Sequence, residues 1–385
     1  MASNSAIPYG RQNISEEDVR VVLDALQGEW LTTGPAVEKF ESQLTALTGS
    51  GAVVLSSGTA ALHCAYSALG LGPGDEVITP PLTFIATQAT AALLGAKIVF
   101  ADVQSDTGNI DPEDIESRIT RNTKAITMVD YAGHPCEIDE IVFLAKKYGL
   151  AVVEDAAHSV GSTYKSRPIG GEADLSTFSF FPTKNLTTGE DGAVLSKNLE
   201  LLDKARKFGR QGLVRTNSDF VLEAHGPWHQ EVHNFGLNYR LPDILCALGS
   251  SQLNRIDKFK AERKRVFEKY CQYLSSIPQV KLPTKRSYVD PMWHLFPIRV
   301  PSHLRKNLFV QLRSYGYLVQ VNYLPAHLHP VFSANFSRGD FPRAEKFYAE
   351  EISLPMYVDE SVFTENYFEV LANRIEKFFT DSNRK

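Results

Sequence analysis

The sequence is poor in cysteine, and the cysteines that it has are scattered. Cys64, Cys136, Cys246 and Cys271 lie far apart, and no two of them have the CxxC spacing. A disulfide framework or a zinc site normally shows as closely spaced, paired cysteines. We therefore expect no metal site, and a reducing cytoplasm is the simplest location.

Three other kinds of signal are missing. The 45 acidic residues outnumber the 40 basic ones, which gives a net charge of −5 and argues against a nucleic-acid partner. Residues 1–11 lack the basic and apolar regions of a signal peptide, and no uncharged apolar run is long enough to cross a membrane. Neither GxGxxG after the first strand nor GxxxxGK[ST] occurs, which argues against a dinucleotide fold and a Walker loop.

The first two-thirds of the chain alternates short apolar strands with helical stretches. The predicted strands are residues 52–55, 76–79, 97–102, 124–129, 151–154, 176–180 and one that begins at Ala193, and the clearest helices are 58–68 and 83–94. Such alternation is typical of parallel βαβ units, with helices on both faces of one sheet. The sequence therefore predicts an α/β fold with a mostly parallel central sheet.

The pattern changes near Leu241. From there to Leu274, apolar residues recur at helical spacing among many charges, which predicts one long exposed helix. Strands at 295–300 and 318–321 and helices at 304–315 and 363–379 follow, as in a smaller α+β domain. We therefore predict a large domain over residues 1–245 and a smaller C-terminal domain over residues 246–385.

An acidic residue ends one of the apolar strands. Asp155 closes the run Val152-Val153-Glu154-Asp155, so its carboxylate lies at the carboxyl edge of the sheet, where open α/β sheets bind ligands. A buried carboxylate is costly unless a cation faces it, and the protonated pyridine nitrogen of pyridoxal 5′-phosphate (PLP) is such a cation. The alternative is an aspartate that caps the next helix.

A lysine follows the next strand of the series. Lys184 comes just after Phe180 and Phe181, and the glycines of the segment 187–193 allow the chain to turn back as a strand. A lysine among aromatic residues loses solvation, which lowers its pKa and frees the amine for Schiff-base chemistry. The alternative is an ordinary lysine on the surface.

Small hydroxyl residues connect the first strand to its helix. Ser57, Gly58, Thr59 and Ala60 place free backbone N–H groups and hydroxyls at a helix N-terminus, which predicts a phosphate site; a simple Ser/Thr N-cap is the alternative. Phe84 is equally compatible with stacking on the pyridine ring and with filling the core.

In this order, the motifs resemble those of the DegT/StrS-type nucleotide-sugar aminotransferases, a branch of the fold-type I PLP enzymes. The resemblance runs from Ile7-Pro8-Tyr9 to Ile352-Ser353-Leu354-Pro355. It implies that Lys184 carries PLP as a Schiff base and that Asp155 pairs with the pyridine nitrogen. The other implied contacts are His158 to the ring and its phenolic oxygen, and Gly58, Thr59, Ala60 and Ser179 to the phosphate.

The resemblance also implies partners. Asn238, just ahead of the predicted long helix, is expected to reach the cofactor phosphate of a neighbouring subunit, which implies a homodimer with shared sites; helix capping is its alternative role. The residues expected near the substrate are Tyr9, Arg240, His327 and His329. Three departures from the family pattern are Phe181, Asp191 in place of a glycine, and Asn322 in place of a histidine.

The implied reaction moves an amino group from L-glutamate to a keto group of a nucleotide-linked deoxy sugar. Residues 108–111, 130–133, 320–323 and 344–348 are most similar to the carbon-4 aminotransferases of pseudaminic acid biosynthesis. The alternatives are a carbon-3 or dTDP-linked keto sugar, a cyclitol ketone, another PLP reaction such as a lyase, and a non-catalytic protein that keeps the fold. A lysine at position 184, where dehydratase relatives carry histidine, favours transamination.

Overall fold

The computed structural model describes residues 6–382. Within this range the chain forms twelve α-helices. They are α1 (Glu16–Gln27), α2 (Pro35–Thr48), α3 (Gly58–Ala68), α4 (Ala86–Leu93), α5 (Pro112–Arg118), α6 (Ile138–Tyr148), α7 (Leu199–Phe208), α8 (Asp243–Leu253), α9 (Ile256–Leu274), α10 (Ser302–Ser314), α11 (Pro342–Glu350) and α12 (Glu365–Ser382).

Sixteen short strands accompany these helices in the described range. They are β1 (Ile7–Pro8), β2 (Gly51–Leu55), β3 (Glu76–Thr79), β4 (Lys97–Phe100), β5 (Thr123–Val129), β6 (Ala151–Asp155), β7 (Thr163–Tyr164), β8 (Arg167–Pro168), β9 (Leu175–Ser179), β10 (Gly192–Ser196), β11 (Leu213–Val214), β12 (Glu231–Val232), β13 (Val289–Asp290), β14 (Phe296–Arg299), β15 (Tyr317–Leu318) and β16 (Glu351–Leu354).

Seven of these strands form the central sheet, in the order β2-β10-β9-β6-β5-β3-β4. Strand β10 runs antiparallel to both of its neighbours, and the pairs from β9 to β4 are parallel. The sheet is therefore mostly parallel, as the sequence predicts. Because helices connect the parallel strands, the carboxyl ends of β6, β5 and β3 meet at one edge.

Both faces of the central sheet are buried. Successive residues of a strand point to opposite faces, and the neighbours Val53 and Val54 belong to different hydrophobic clusters, as do Val152 and Val153. This burial on two sides explains why the strands appear in the sequence as continuous apolar runs rather than as alternating patterns.

The C-terminal part has a hydrophobic cluster of its own, built from residues between Val266 and Phe379. Helices α9, α10 and α12 and the antiparallel pair β14–β16 contribute to it. This is the α+β pattern predicted for the last third of the chain. In residues 6–382, no helix combines the length and the apolar character that crossing a bilayer requires.

The predicted long helix over residues 241–274 is wrong in one respect, because the structure divides it into α8 and α9. The break falls at Asn254 and Arg255. The Arg255 guanidinium donates to the side chain and carbonyl of Asn13 and pairs with the buried carboxylate of Asp18. These contacts with the N-terminal segment turn the chain at a point where the apolar spacing alone predicts an uninterrupted helix.

Candidate active site

The carboxyl edge of the central sheet opens into a cavity of about 390 Å³. Strands β6 and β9 end beside each other there, with Asp155 paired in register with Thr177. The lining includes Asp155, Lys184, His158, Gly58, Ser179 and Phe84, so the structure brings together residues that the sequence places far apart.

Asp155 is the acidic group of the cavity. It is the last residue of β6 and is 6% exposed. The Thr87 hydroxyl donates to Oδ2 over 2.7 Å, and the Ala157 amide donates to Oδ1 over 3.2 Å. Burial raises the pKa of Asp155, while these two hydrogen bonds and the charge of Lys184 lower it. No helix begins at Asp155, so the capping role is wrong.

Lys184 follows β9 at the same edge. Its backbone N–H donates to the Phe181 carbonyl over 2.8 Å, in the turn that leads back to β10. Burial lowers the pKa of the Lys184 amine to about 8, and the charge of Asp155 opposes that shift. About a tenth of the amine is therefore unprotonated at pH 7, far more than in an ordinary surface lysine, and this fraction can act as a nucleophile.

The residue after the lysine fixes this turn in place. Asn185 Nδ2 donates to the His158 carbonyl over 3.0 Å and to the Met292 carbonyl over 2.7 Å. Buried Arg263 of α9 donates to the Lys184 carbonyl over 3.4 Å and to the Trp293 carbonyl over 3.0 Å. The lysine segment is thus tied both to the wall of the cavity and to the C-terminal part of the chain.

The N-terminus of α3 lies next to Ser179 in the lining of the cavity. Because the helix begins at Gly58, the amides of Gly58 and Thr59 have no acceptor within it. A Cβ atom on Gly58 would lie 2.8 Å from Ser179 Cβ, so only glycine leaves this space open. The Ala60 amide, predicted to bind phosphate, instead donates to Ser57 Oγ over 3.0 Å, which leaves Gly58, Thr59 and Ser179 to line the cavity.

Aromatic side chains form much of the cavity mouth. Phe84 is 58% exposed and lines the cavity, so the interpretation as core filler is wrong. Phe181 is 42% exposed, and Tyr9 and Tyr323 also contribute to the lining. The mouth therefore presents rings to a ligand, as a site for a flat heterocycle or the apolar face of a sugar does.

Two histidines lie side by side in the wall. The rings of His158 and His294 have centroids 4.3 Å apart, and His158 Nε2 lies 3.2 Å from the Tyr323 hydroxyl. Burial lowers the pKa of both imidazoles well below the usual value, so both are neutral at pH 7. His158 lines the cavity, and its contact with the cofactor ring stays a prediction, while His294 was not singled out from the sequence.

Four of the predicted residues lie away from this cavity. His327 is buried, bonds to Glu345 Oε1 through Nε2 over 3.0 Å and packs its ring edge-on against Phe341. His329 lies between two short 3₁₀ turns. The Arg240 guanidinium donates to the Gln211 side chain. Asn238 is exposed, and its backbone forms an isolated antiparallel β-bridge with that of Arg210. Helix α8 begins only at Asp243, so neither Asn238 nor Arg240 caps it.

Two of the departures from the family pattern are also buried. Asn322 donates from Nδ2 to Ser353 Oγ over 3.0 Å, so its side chain is engaged within the C-terminal part of the chain. Asp191 is fully buried at the start of β10, and burial raises the pKa of its carboxyl well above the usual value. This carboxyl lies beside the Gly58 turn, against which Gly192 packs closely.

The residues of the cavity suit PLP in three respects. The helix N-terminus with Ser179 matches a phosphate group, and the space next to Gly58 is one that a Cβ would fill. Asp155 matches a protonated pyridine nitrogen. Lys184 supplies an amine of lowered pKa for the aldehyde carbon.

The sequence and the structure both match those of known aminotransferases. The model of the DegT/DnrJ/EryC1/StrS aminotransferase family matches residues 12–370. UDP-4-amino-4,6-dideoxy-N-acetyl-beta-L-altrosamine transaminase of Campylobacter jejuni is 37% identical over 358 residues, which cover 91% of this chain and 92% of that protein.

Two solved structures extend over nearly the whole chain. Helicobacter pylori PseC, an aminotransferase involved in the biosynthesis of pseudoaminic acid, superposes with a TM-score of 0.90 and 31% identity over 98% of this chain and 100% of its own. The PLP form of Spr1654, a putative sugar aminotransferase from Streptococcus pneumoniae, superposes with a TM-score of 0.88 and 28% identity. The match covers 97% of this chain and 99% of that chain.

Proposed function

Because the chain belongs to the DegT/DnrJ/EryC1/StrS aminotransferase family, we propose that it transfers an amino group from L-glutamate to carbon 4 of a nucleotide-linked keto sugar. Its reaction class, PLP-dependent transamination, follows from that membership. The observation that carries the proposal is the meeting of Lys184, Asp155 and the α3 N-terminus around one cavity. A non-catalytic role is not consistent with that membership.

Lys184 is the proposed proton carrier. When bound, PLP supplies an electron sink conjugated to the amino-bearing carbon of the substrate. The Lys184 amine, with its pKa lowered to about 8, would take the proton from that carbon as a base and deliver it as an acid to the carbon of the cofactor's former aldehyde group.

Asp155 and the α3 N-terminus hold the two ends of the cofactor in this proposal. The Asp155 carboxylate keeps a proton on the pyridine nitrogen, and the Thr87 hydroxyl fixes the orientation of that carboxylate. The amides of Gly58 and Thr59, with Ser179, hold the phosphate. Phe84 covers a face of the ring from the cavity mouth.

The acceptor that we propose is UDP-4-keto-6-deoxy-N-acetylhexosamine. The Campylobacter relative, which is 37% identical, supports this acceptor through its name. PseC supports it through its involvement in the biosynthesis of pseudoaminic acid. The exposed ring of Phe181 favours the same acceptor, because a 6-deoxy sugar presents a methyl group where other hexoses carry a hydroxymethyl group.

We further propose a homodimer in which each cavity receives residues from the neighbouring subunit. Asn238 is exposed and does not line the cavity of its own chain, and Phe235 beside it is 98% exposed. Helix α1 presents Val19, Leu23 and Leu26, each about half exposed, as an apolar stripe that a second copy would cover. Sedimentation of the holoenzyme tests this, and a monomer at working concentration would contradict it.

The proposed location is the cytoplasm. All four cysteines are free thiols, and Cys64, Cys136 and Cys246 are buried. Reduced cysteines that fill a core fit a reducing compartment. Fractionation of the native source with activity as the readout tests the location, and activity confined to an exported fraction would contradict it.

An acceptor screen tests the substrate assignment. The protein is first converted to its aminated form with L-glutamate and then freed of excess donor. Keto sugars that differ only in keto position (carbon 3 or carbon 4), or only in nucleotide (UDP or dTDP), are then compared by the rate at which each restores the spectrum of the PLP form. We expect the UDP-linked 4-keto sugar to react fastest, and preference for a carbon-3 or dTDP-linked acceptor would overturn the assignment.

A further inference from the structure

His294 occupies the wall of the cavity without a hydrogen bond from its side chain. It lies just ahead of β14, where its backbone N–H donates to the Ala132 carbonyl over 2.9 Å. The residue is 3% exposed and lines the cavity. Among the described residues, Nδ1 is enclosed with no hydrogen-bond partner, whereas Nε2 is not enclosed and takes part in no hydrogen bond with them. A buried imidazole that makes no hydrogen bond within the protein is costly unless a ligand completes its bonding.

The surroundings of the two imidazoles indicate which ring nitrogen of each carries the proton. The Nδ1 of His158 is also enclosed without a partner, while its Nε2 faces the Tyr323 hydroxyl over 3.2 Å. A neutral imidazole has one N–H donor and one bare acceptor nitrogen, and a buried donor without an acceptor is rarer than an unused acceptor. Both rings therefore carry the proton on Nε2, which leaves the Nε2–H of His294 for the cavity.

Two cationic groups lie near this donor, and the carboxylates of Asp155 and Glu190 line the same cavity. Lys184 from the turn after β9 and Arg263 from α9 both act on His294, and burial of the ring keeps it neutral beside them. The third neighbouring group is the neutral imidazole of His158, at a centroid distance of 4.3 Å. A neutral N–H donor near two cations suits an anionic oxygen better than a neutral or cationic group.

We propose that His294 is a further ligand-contacting residue, which donates a hydrogen bond from Nε2 to an anionic oxygen of the ligand bound in the cavity. The inference rests on the proposed function, because that function supplies two such oxygens. One is the phenolic oxygen of the cofactor, and the other is a carboxylate oxygen of the amino donor.

Two substitutions of His294 separate the hydrogen bond from packing. His294→Phe keeps a ring against His158 and removes the donor, whereas His294→Gln keeps an N–H donor and should partly restore binding. Trp293→Phe is the matched control, because its side chain stacks on Phe267 at 4.0 Å on the C-terminal side and perturbs the same segment. For each protein we would measure the dissociation constant of PLP, the absorbance spectrum of bound PLP against pH, and the L-glutamate concentration for half-conversion.

The two sources of the oxygen give different results. A bond to the phenolic oxygen predicts that His294→Phe weakens PLP binding about tenfold and shifts the pH midpoint of the bound spectrum. A bond to the donor predicts that PLP binding and spectrum are unchanged while the half-conversion concentration rises about tenfold. The proposal is overturned if His294→Phe matches Trp293→Phe in all three measurements. A wild type that binds PLP through Lys184 but ignores glutamate would contradict the proposed donor, while the cofactor measurements would still decide the role of His294.

Discussion

The hydroxyl of Thr87 donates a hydrogen bond of 2.7 Å to the carboxylate of Asp155. Thr87 lies in the first turn of α4, and Asp155 ends β6, so the contact joins residues 68 positions apart. Burial raises the pKa of Asp155, and this bond is the largest of the effects that lower it. Thr87 therefore helps to keep the acid ionised, which the partner of a pyridine nitrogen must be.

Replacing Thr87 tests that role. We expect Thr87→Val to raise the pKa of Asp155 and to weaken PLP binding by about tenfold, since a hydrogen bond to a charged group contributes about 1.5–3 kcal/mol. Fluorescence titration of the apo-protein with PLP measures the effect. Thr90→Val is the matched control, because Thr90 is buried in the same helix and donates to the Ala86 carbonyl. Equal loss in both variants would contradict the assignment.

Gly58 is predicted to be essential for phosphate binding. A Cβ atom there would lie 2.8 Å from Ser179 Cβ and 3.0 Å from its Oγ, so Gly58→Ala forces the α3 N-terminus and Ser179 apart. We expect PLP affinity to fall at least about tenfold, with pyridoxal, which lacks the phosphate, much less affected. Gly72→Ala serves as the control because no atom lies within 4 Å of its added Cβ. An equal effect on PLP and pyridoxal would refute the phosphate role.

The lowered pKa of Lys184 predicts a stability effect in the apo-protein. The amine has a pKa of about 8 in the folded chain against 10.5 when unperturbed, so between these values the unfolded chain binds more protons. The contribution of Lys184 to stability therefore rises with pH across that window. We expect Lys184→Met to be more stable than wild type at pH 7 and to lose that advantage as pH rises from 8 to 10.5. A difference in the free energy of unfolding that stays constant with pH would count against this.

Glu351 is a buried acid that supports the segment carrying Tyr323. Its Oε2 accepts a hydrogen bond of 2.8 Å from the backbone N–H of Asn322, and its Oε1 accepts one from the Ser353 hydroxyl. Burial raises the pKa of Glu351 to about 8. An acid whose folded pKa exceeds its unfolded value of 4.5 loses its stabilising contribution as pH rises from 4.5 to 8.

We therefore expect Glu351→Gln to gain stability relative to wild type across that range and to level off above it. Glutamine keeps both the shape and the neutral state, so the fold should persist. Urea unfolding at several pH values measures the difference. A stability difference that does not depend on pH would show that Glu351 is not the titrating group.

Much of the fold could be predicted because its cause is local. The helix over residues 58–68 and the strand over residues 76–79 occur with the predicted bounds, since apolar runs between turn residues specify them. The helix predicted from residue 83 begins instead at Ala86, and the predicted domain division at residue 245 stays a prediction. Asp155 could be found because it ends an apolar strand, and Lys184 because it lies in the turn after the next apolar strand.

The remaining features depend on contacts between distant parts of the chain. The break between α8 and α9 results from the pairing of Arg255 with Asp18, which no apolar periodicity reveals. Thr87 and His294 reach the cavity from other elements, and nothing in their neighbouring residues marks them. His327, expected near the sugar, is held away by Glu345, because the chain folds that ring onto a cluster of phenylalanines.

We propose above all that Lys184 binds PLP and takes part in transamination with L-glutamate. The most direct measurement is the visible spectrum of the purified protein with PLP, before and after L-glutamate, beside a Lys184→Ala variant. We expect a yellow band that requires Lys184 and disappears on addition of glutamate, with an equivalent amount of 2-oxoglutarate formed. A wild type without a Lys184-dependent band, or a band that glutamate leaves unchanged, would contradict it.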